Sequence, residues 1–319
     1  MRYTLYTIII AFLCLPVSIL NARDVVVVSK KRTIESQLTR PCVEYIIRIP
    51  IDLNGDRLVA PDNCTLRFAN NGCLLNGTLV GRNTEVISNK HRIFKSIAIE
   101  GTFATRQSIP EWFTDEDDGE RIEKAIYIAD TVKLNKKYLP NQAIQINSPT
   151  VLIGRGQIEW GEQSSCLVIN SNYVSFEGLS LKTTNQKAVL LQAEGSEEEP
   201  LKHIKIEKCT IRGGMIAIRC DFVEGALITH NRVRNVDHTG IGLYSCHNVD
   251  VTFNHISGIN LKHIYNNSYG IAASFHYGDP KSSEIRINDN VVENNPYWEA
   301  LDTHGGERIE FCRNTVKNC

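Results

Sequence analysis

Asp302-Thr303-His304-Gly305-Gly306 is the segment whose residue types most readily do chemistry. Asp and His two apart on an extended strand project to one face, so both can reach a single ligand. An imidazole exchanges protons near neutral pH, and an adjacent carboxylate orients it and raises its pKa. Abstracting a proton from carbon next to a carboxylate needs such a base, a cation to neutralise the carboxylate, and an acid for the leaving oxygen. His304, backed by Asp302, is the candidate base; Arg219 or Arg308 is the cation and Tyr244 the acid. His276 lies upstream and can assist. Hydrolysis would instead pair Asp302 with Glu299 or Asp237. Seven of the nine histidines fall between His230 and His304 but occupy different turn positions, and with no His-x-His pair they argue against zinc. No motif demands a cofactor. A calcium ion held by Asp302, Glu299 or Asp279 is chemically reasonable beside an anionic ligand, although no calcium-loop motif is present.

These residues need strands to align them, and a repeat supplies the strands. Val174, Phe176, Leu179 and Leu181 set a pattern that recurs from Ile204, Ala226, Val249, Ile285 and Ile309, with starts 22 to 36 residues apart. Period-2 alternation marks strands, and this spacing marks stacked coils. Four copies carry Asn at the third position (Asn231, Asn254, Asn290, Asn314). That position suits a left-handed bend, and stacked amides there can bond from coil to coil. Each copy is followed by a second short strand, and no helical return is visible. The expected fold is all-β, a right-handed parallel β-helix, with a short helix in its N-terminal half. Ile122, Ala125, Ile126 and Ala129 share one face of that helix, Asp117 and Glu120 have capping-box spacing, and Trp112-Phe113 would pack it down. Upstream, Ile47/Ile49, Leu66/Phe68, Leu79/Val80 and Ile97/Ile99 read as strands punctuated by Gly55, Asn76-Gly77 and Gly101.

In the second strand of each coil, Ile216, Ile241, Ile271 and Leu301 are expected inward. Ala217, Gly242, Ala272 and Asp302 then face outward, followed by an outward row of Arg219, Tyr244, Ser274 and His304, with Gln192 one coil earlier. Coils stack about 4.8 Å apart, so small residues beside a polar row make a shallow trough. Ser274, His276, Gln192, Arg308, Tyr297 and Trp298 are its candidate binding residues. Loops bearing Tyr265, Tyr277, Tyr297 and Trp298 could wall it and stack on a bound ligand.

Composition limits the alternatives. With 35 Lys+Arg, 36 Asp+Glu and net charge −1, the chain lacks the basic field of a nucleic-acid binder. At 42% hydrophobic and 22% charged it is neither disordered nor polytopic. Arg2, the apolar run Ile8 to Leu15 and Leu20-Asn21-Ala22 read as a signal peptide over 1–22, too short to span a bilayer. The expected organisation is 1–22 signal peptide, 23–44 lead-in or cap, and 45–319 β-helix. The product is secreted, periplasmic or at the cell surface, with no integral membrane segment after signal removal. Nine cysteines remain, unpaired in spacing and read mostly as buried apolar fillers. The chain stops half-way through a coil, from which truncation at the C-terminus is expected.

The stretches Leu58-Val59-Ala60-Pro61-Asp62-Asn63-Cys64-Thr65-Leu66-Arg67-Phe68 and Asn76-Gly77-Thr78-Leu79-Val80-Gly81-Arg82-Asn83-Thr84 resemble the opening coils of pectate-lyase-like β-helix proteins of gut Bacteroidetes. Pro110-Glu111-Trp112-Phe113 with Asp117-Asp118 is similar to a segment of those proteins and of phage tailspikes. The resemblance covers most of residues 45 to 319. It implies polysaccharide binding, often with cleavage or epimerisation of uronic-acid-containing chains. Asp302 and His304 also match the Asp-Pro-His-Asp motif of mannuronan C5-epimerases, with Thr303 and Gly305 in place of Pro and the second Asp. The motif series of polygalacturonases is missing. The resemblance thus implies a lyase or C5-epimerase, with a glycan-binding or adhesion solenoid as the second reading.

Overall fold

The computed structural model describes residues 24–319 apart from 90, 115 and 164; the expected signal peptide lies outside the described residues. The chain winds as a parallel β-solenoid of about 13 turns. From residue 105 onward each coil contributes to three sheets in turn. The first runs from Thr105–Ser108 to Glu307–Cys312, the second from Lys137–Tyr138 to Thr315–Lys317, and the third from Ile144–Ile146 to Glu299–Thr303. Residues before this stack in an eight-stranded sheet that begins at Val25–Val27. Val25–Val27 pairs in parallel with Glu44–Ile47. Inside, alternate residues such as Ile218, Ile241, Ile271, Val251 and Ile287 are fully buried in one continuous core.

Left-handed residues make the corners. Between the first and second sheets the chain always spends two residues, as in His230-Asn231 between Val223–Thr229 and Arg232–Val236. The left-handed position is the residue before the Asn: His230, Phe253, Asp289 and Arg313 have φ between 55° and 60°. The Asn itself does the bonding. Asn254 Nδ2 donates to Ile228 O at 2.8 Å and to Asn290 Oδ1 at 3.0 Å. Its Oδ1 accepts from the backbone N and the Nδ2 of Asn231, both at 3.0 Å. The column runs from Asn231 to Asn314 and ends against the Cys209 amide, which donates to Asn231 Oδ1.

The helix α1 (Asp118–Ile128) forms where expected. Asp117 Oδ2 accepts from the Gly119 amide at 2.8 Å, and Ile122, Ala125 and Ile126 face the core above buried Trp112 and Phe113. Its carboxylates also finish the sheets beside it. Asp118, Asp117 and Glu123 accept from the backbone amides of Leu139, Asn141 and Gln145, next to or within the terminal strands of the second and third sheets. Those amides have no strand on that side, so the helix satisfies edge groups that would otherwise be left open.

One local expectation changes. Asn76-Gly77 does not end a strand: Cys73–Ser88 runs through it, bent at Asn76 (φ 51°). Gly77 is needed because a Cβ there would meet Asp56 O at 2.6 Å. The described cysteines are all free; Cys64, Cys166, Cys209, Cys220 and Cys246 are buried, and burial pushes the Cys166 and Cys246 thiols up to about 12. Among the described residues no helix is long and apolar enough to cross a membrane.

Replacing Asn254 by Ala strips the buried Asn231 backbone amide of its partner and removes the side-chain bond to Ile228 O, while Asn231 Nδ2 keeps Ile206 O at 2.8 Å. With one group orphaned, the expected loss is about 1–3 kcal/mol, measured as a shift in urea midpoint.

Candidate active site

The outward face of the third sheet is set by the pairing of its strands. Gln192, Arg219, Gly242, Ala272 and Asp302 fall in one row. Glu194, Asp221, Tyr244 and Ser274 fall in the next, which His304 continues after Thr303. Arg219 therefore does not share a row with Tyr244, Ser274 and His304. Ile218-Arg219-Cys220, and not Ile216-Ala217-Ile218, pairs with Ile241-Gly242-Leu243. A slip of one residue turns every side chain over, but a slip of two keeps each on its own face, so the hydrophobic pattern fits both registers. Ala217 falls in the row before Arg219 and is buried, so it drops out of the trough; Gly242 and Ala272 remain in the Arg219 row, themselves almost covered.

The true register brings in Asp221, which the sequence pattern passed over. Its side chain is only 5% exposed and binds Arg219 through two bonds, Nε to Oδ2 at 2.7 Å and Nη2 to Oδ1 at 2.8 Å. His276 Nε2 lies 3.2 Å from Asp221 Oδ1 and 3.4 Å from Arg219 Nη2. The Asp221 contact calls for a proton on Nε2, which leaves the neutral ring's lone pair on Nδ1, whereas the Arg219 contact calls for the opposite tautomer. Tyr244 stacks on His276 at 4.9 Å and 10°, and the Arg219 guanidinium sits 5.2 Å from the same ring. Gly242 makes room for this arrangement, since a Cβ there would lie 2.9 Å from Tyr244 Cε2. Burial raises the Tyr244 hydroxyl above the ordinary tyrosine range, with Arg219 opposing. Arg219 is held in its charged form chiefly by the bond to Asp221.

Asp302 and His304 form a second dyad. His304 Nδ1 contacts Asp302 Oδ2, and Tyr269 meets the imidazole edge-on at 5.7 Å. The Asp302 side chain is mostly buried, whereas His304 is about half exposed. Gly305 (φ 85°) follows because the turn is left-handed and Phe275 Cε1 would lie 2.7 Å from a Cβ. Three coil steps separate Arg219 from Asp302, about 14 Å at roughly 4.8 Å per step.

The other candidates disperse. Arg308 belongs to the first sheet, where its Nε pairs with Glu284. Gln192 extends the Arg219 row and donates to Glu194 at 2.6 Å. Ser274 lies beside Tyr244 in the second row. Tyr297 stacks face to face on His263 at 4.0 Å, and Tyr265 packs edge-on to His238; Trp298 is exposed and Tyr277 wholly so. Asp237 sits at the corner between the second and third sheets, away from Asp302 in the chain path. Among the described residues no three His, Cys, Asp or Glu side chains gather as a metal-ion cluster.

The model of the right-handed β-helix region matches residues 143–319. The chain belongs to the right-handed β-helix family. Among solved structures, this β-helix is similar to the mannuronan C-5 epimerase A-module of Azotobacter vinelandii, at 8% identity and a TM-score of 0.41, covering 92% of this chain and 87% of that one. No curated protein matches it.

In this β-helix Gly242→Val is expected to push Tyr244 off His276 while leaving the core intact. The raised Tyr244 pKa contributes stability that is present below the ordinary value near 10 and lost as pH rises through the folded value. Ultraviolet titration checks it: the late tyrosine step missing in Tyr244→Phe should return toward 10 in Gly242→Val. An unmoved step would show that the ring is not held as described.

Proposed function

We propose that this β-helix is an exported protein that acts on a uronic-acid-containing polysaccharide by abstracting the C5 proton, as a lyase or C5-epimerase. The observation that carries the reading is the assembly of Arg219, Asp221, Tyr244 and His276 on one outward face, which supplies a base, a cation and an acid within one cluster. His276 Nδ1 takes the C5 proton while Asp221 orients the ring. Arg219 meets the sugar carboxylate with Nη1, the terminal nitrogen it does not use on Asp221. In elimination the C5–H electrons form the C4=C5 bond, the C4–O bond breaks, and the departing oxygen takes the Tyr244 proton. In epimerisation the proton returns to C5 from the opposite face. Asp302 and His304 occupy a neighbouring subsite, with Trp298 available for stacking. A calcium ion, if held by Asp302, Glu299 or Asp279, would neutralise charge on a substrate carboxylate. The leader over residues 1–22 directs export to the periplasm, cell surface or medium.

This differs from a centre built on Asp302 and His304 alone, because the cation and acid stand coils away from that dyad. Asp221 and Asp302 do not make a hydrolytic pair with each other: they stand about 14 Å apart by coil count, beyond the ~6.5–9.5 Å of inverting pairs. One observation favours a binding-only solenoid: Arg219 is already charge-compensated by Asp221.

The test is incubation with alginate, polygalacturonate and glucuronan, with and without calcium, following the ultraviolet absorbance of unsaturated uronate and, by NMR, inversion at C5. His276→Ala should cost about 10²–10⁴-fold, and His304→Ala much less. If the losses are reversed, the base is His304. If no polymer yields product but binding persists, the protein is a glycan-binding module.

A further inference from the structure

A second concavity lies on the corner between the second and third sheets. Two adjoining hollows of about 510 and 330 Å³ share Asn235, Gly258 and Leu261. They follow a column of left-handed residues, one per coil: Gly213, Asn235, Gly258, Asn294 and Asn318. Gly258 keeps the column low, since a Cβ there would lie 2.9 Å from Asn235 Oδ1. Asn318 Nδ2 donates to Asn294 Oδ1 at 3.1 Å. The result is a line of amides and bare backbone along the solenoid axis, repeating about every 4.8 Å.

Asp237 lines the larger hollow. Its side chain belongs to a residue only 9% exposed, and its carboxyl has no hydrogen-bond or salt-bridge partner among the described residues. Burial raises its pKa, with Lys262 opposing. Its oxygens open onto the hollow, where a ligand hydroxyl can take the place of water. The reaction proposed for the third sheet makes no use of it. Exposed Thr184 and Gln186 add a hydroxyl and an amide beside it. The electrostatics select against anions: Lys262 is the one cation lining the hollows, opposed by Asp237 and by Glu293, whose carboxylate meets His255 at 2.9 Å.

We infer that this corner groove binds a neutral oligosaccharide lying along the solenoid axis, with Asp237 hydrogen-bonding one of its hydroxyls. The sugar chain and the coils share a direction and a similar repeat, so successive residues meet successive amides. The site is separate from the face proposed for uronate chemistry and does not depend on that proposal.

Isothermal titration of the whole chain with neutral hexasaccharides of β-1,4-glucose, β-1,4-mannose and β-1,4-xylose tests the inference, with a hexauronate alongside. At least one neutral probe should bind, and Asp237→Ala should weaken it at least tenfold. Gln186→Ala, at an exposed position that leaves the fold alone, should weaken it severalfold. Neither variant should alter hexauronate binding. Asp237→Ala should also unfold no earlier than the parent on heating, because the lost carboxyl had no partner. If none of the neutral probes binds, if both variants bind as the parent does, or if hexauronate competes for the groove, the inference is wrong. Should Asp237→Ala prove unstable, Gln186→Ala alone decides.

Discussion

Each coil of this solenoid is held to the next by backbone bonds that any register would satisfy, so something must choose the register. The buried asparagine column does. An amide at Asn254 that serves Ile228, Asn231 and Asn290 together has all its partners in only one alignment of three coils. In a water-excluded corner a missed bond is costly, which turns a set of modest interactions into a strict positional constraint. Everything on the outer faces inherits its placement from that corner. Arg219 and Asp302 share a row because their coils are indexed there, not because they attract one another.

The outer face then works by contrast with the core. Inside, repetition is tolerated because one β-branched side chain stacks well on another. Outside, neighbouring rungs differ: a buried carboxylate at Asp221, an arginine beside it, a glycine at 242 that lets an aromatic ring lie flat, and a histidine reached from two coils on. Asp221 resembles a structural group by its burial and a functional one by its partners. It meets both the His276 ring and the Arg219 guanidinium, so two groups are oriented by one carboxylate.

Much of this was legible from residue order. The alternation and the Asn spacing revealed the solenoid and the bonded column, and Asp302-x-His304 lies on the same sheet face as the Arg219 cluster. What stayed hidden has particular causes. The second-strand register slipped by two because Ile216-Ala217-Ile218 and Ile218-Arg219-Cys220 are equally apolar on the inward side, and that slip concealed Asp221. The left-handed corner residue was displaced by one because the Asn was credited with both bending and bonding, whereas His230, Phe253, Asp289 and Arg313 do the bending. The corner groove left no motif, since it is made of glycines and amides whose alignment exists only once the coils are stacked.

The two-residue corner between the first and second sheets never changes length, while the other two corners range from a tight turn to the loops after Ile259 and Ser274. The molecule thus separates an invariant spine from a variable rim. Insertions at the rim leave the indexing of every later coil untouched, because alignment is re-established at the next asparagine. Such a scaffold can exchange the loops bordering its outer face one coil at a time, which makes it a modular frame for acquiring new surface chemistry without refitting its core.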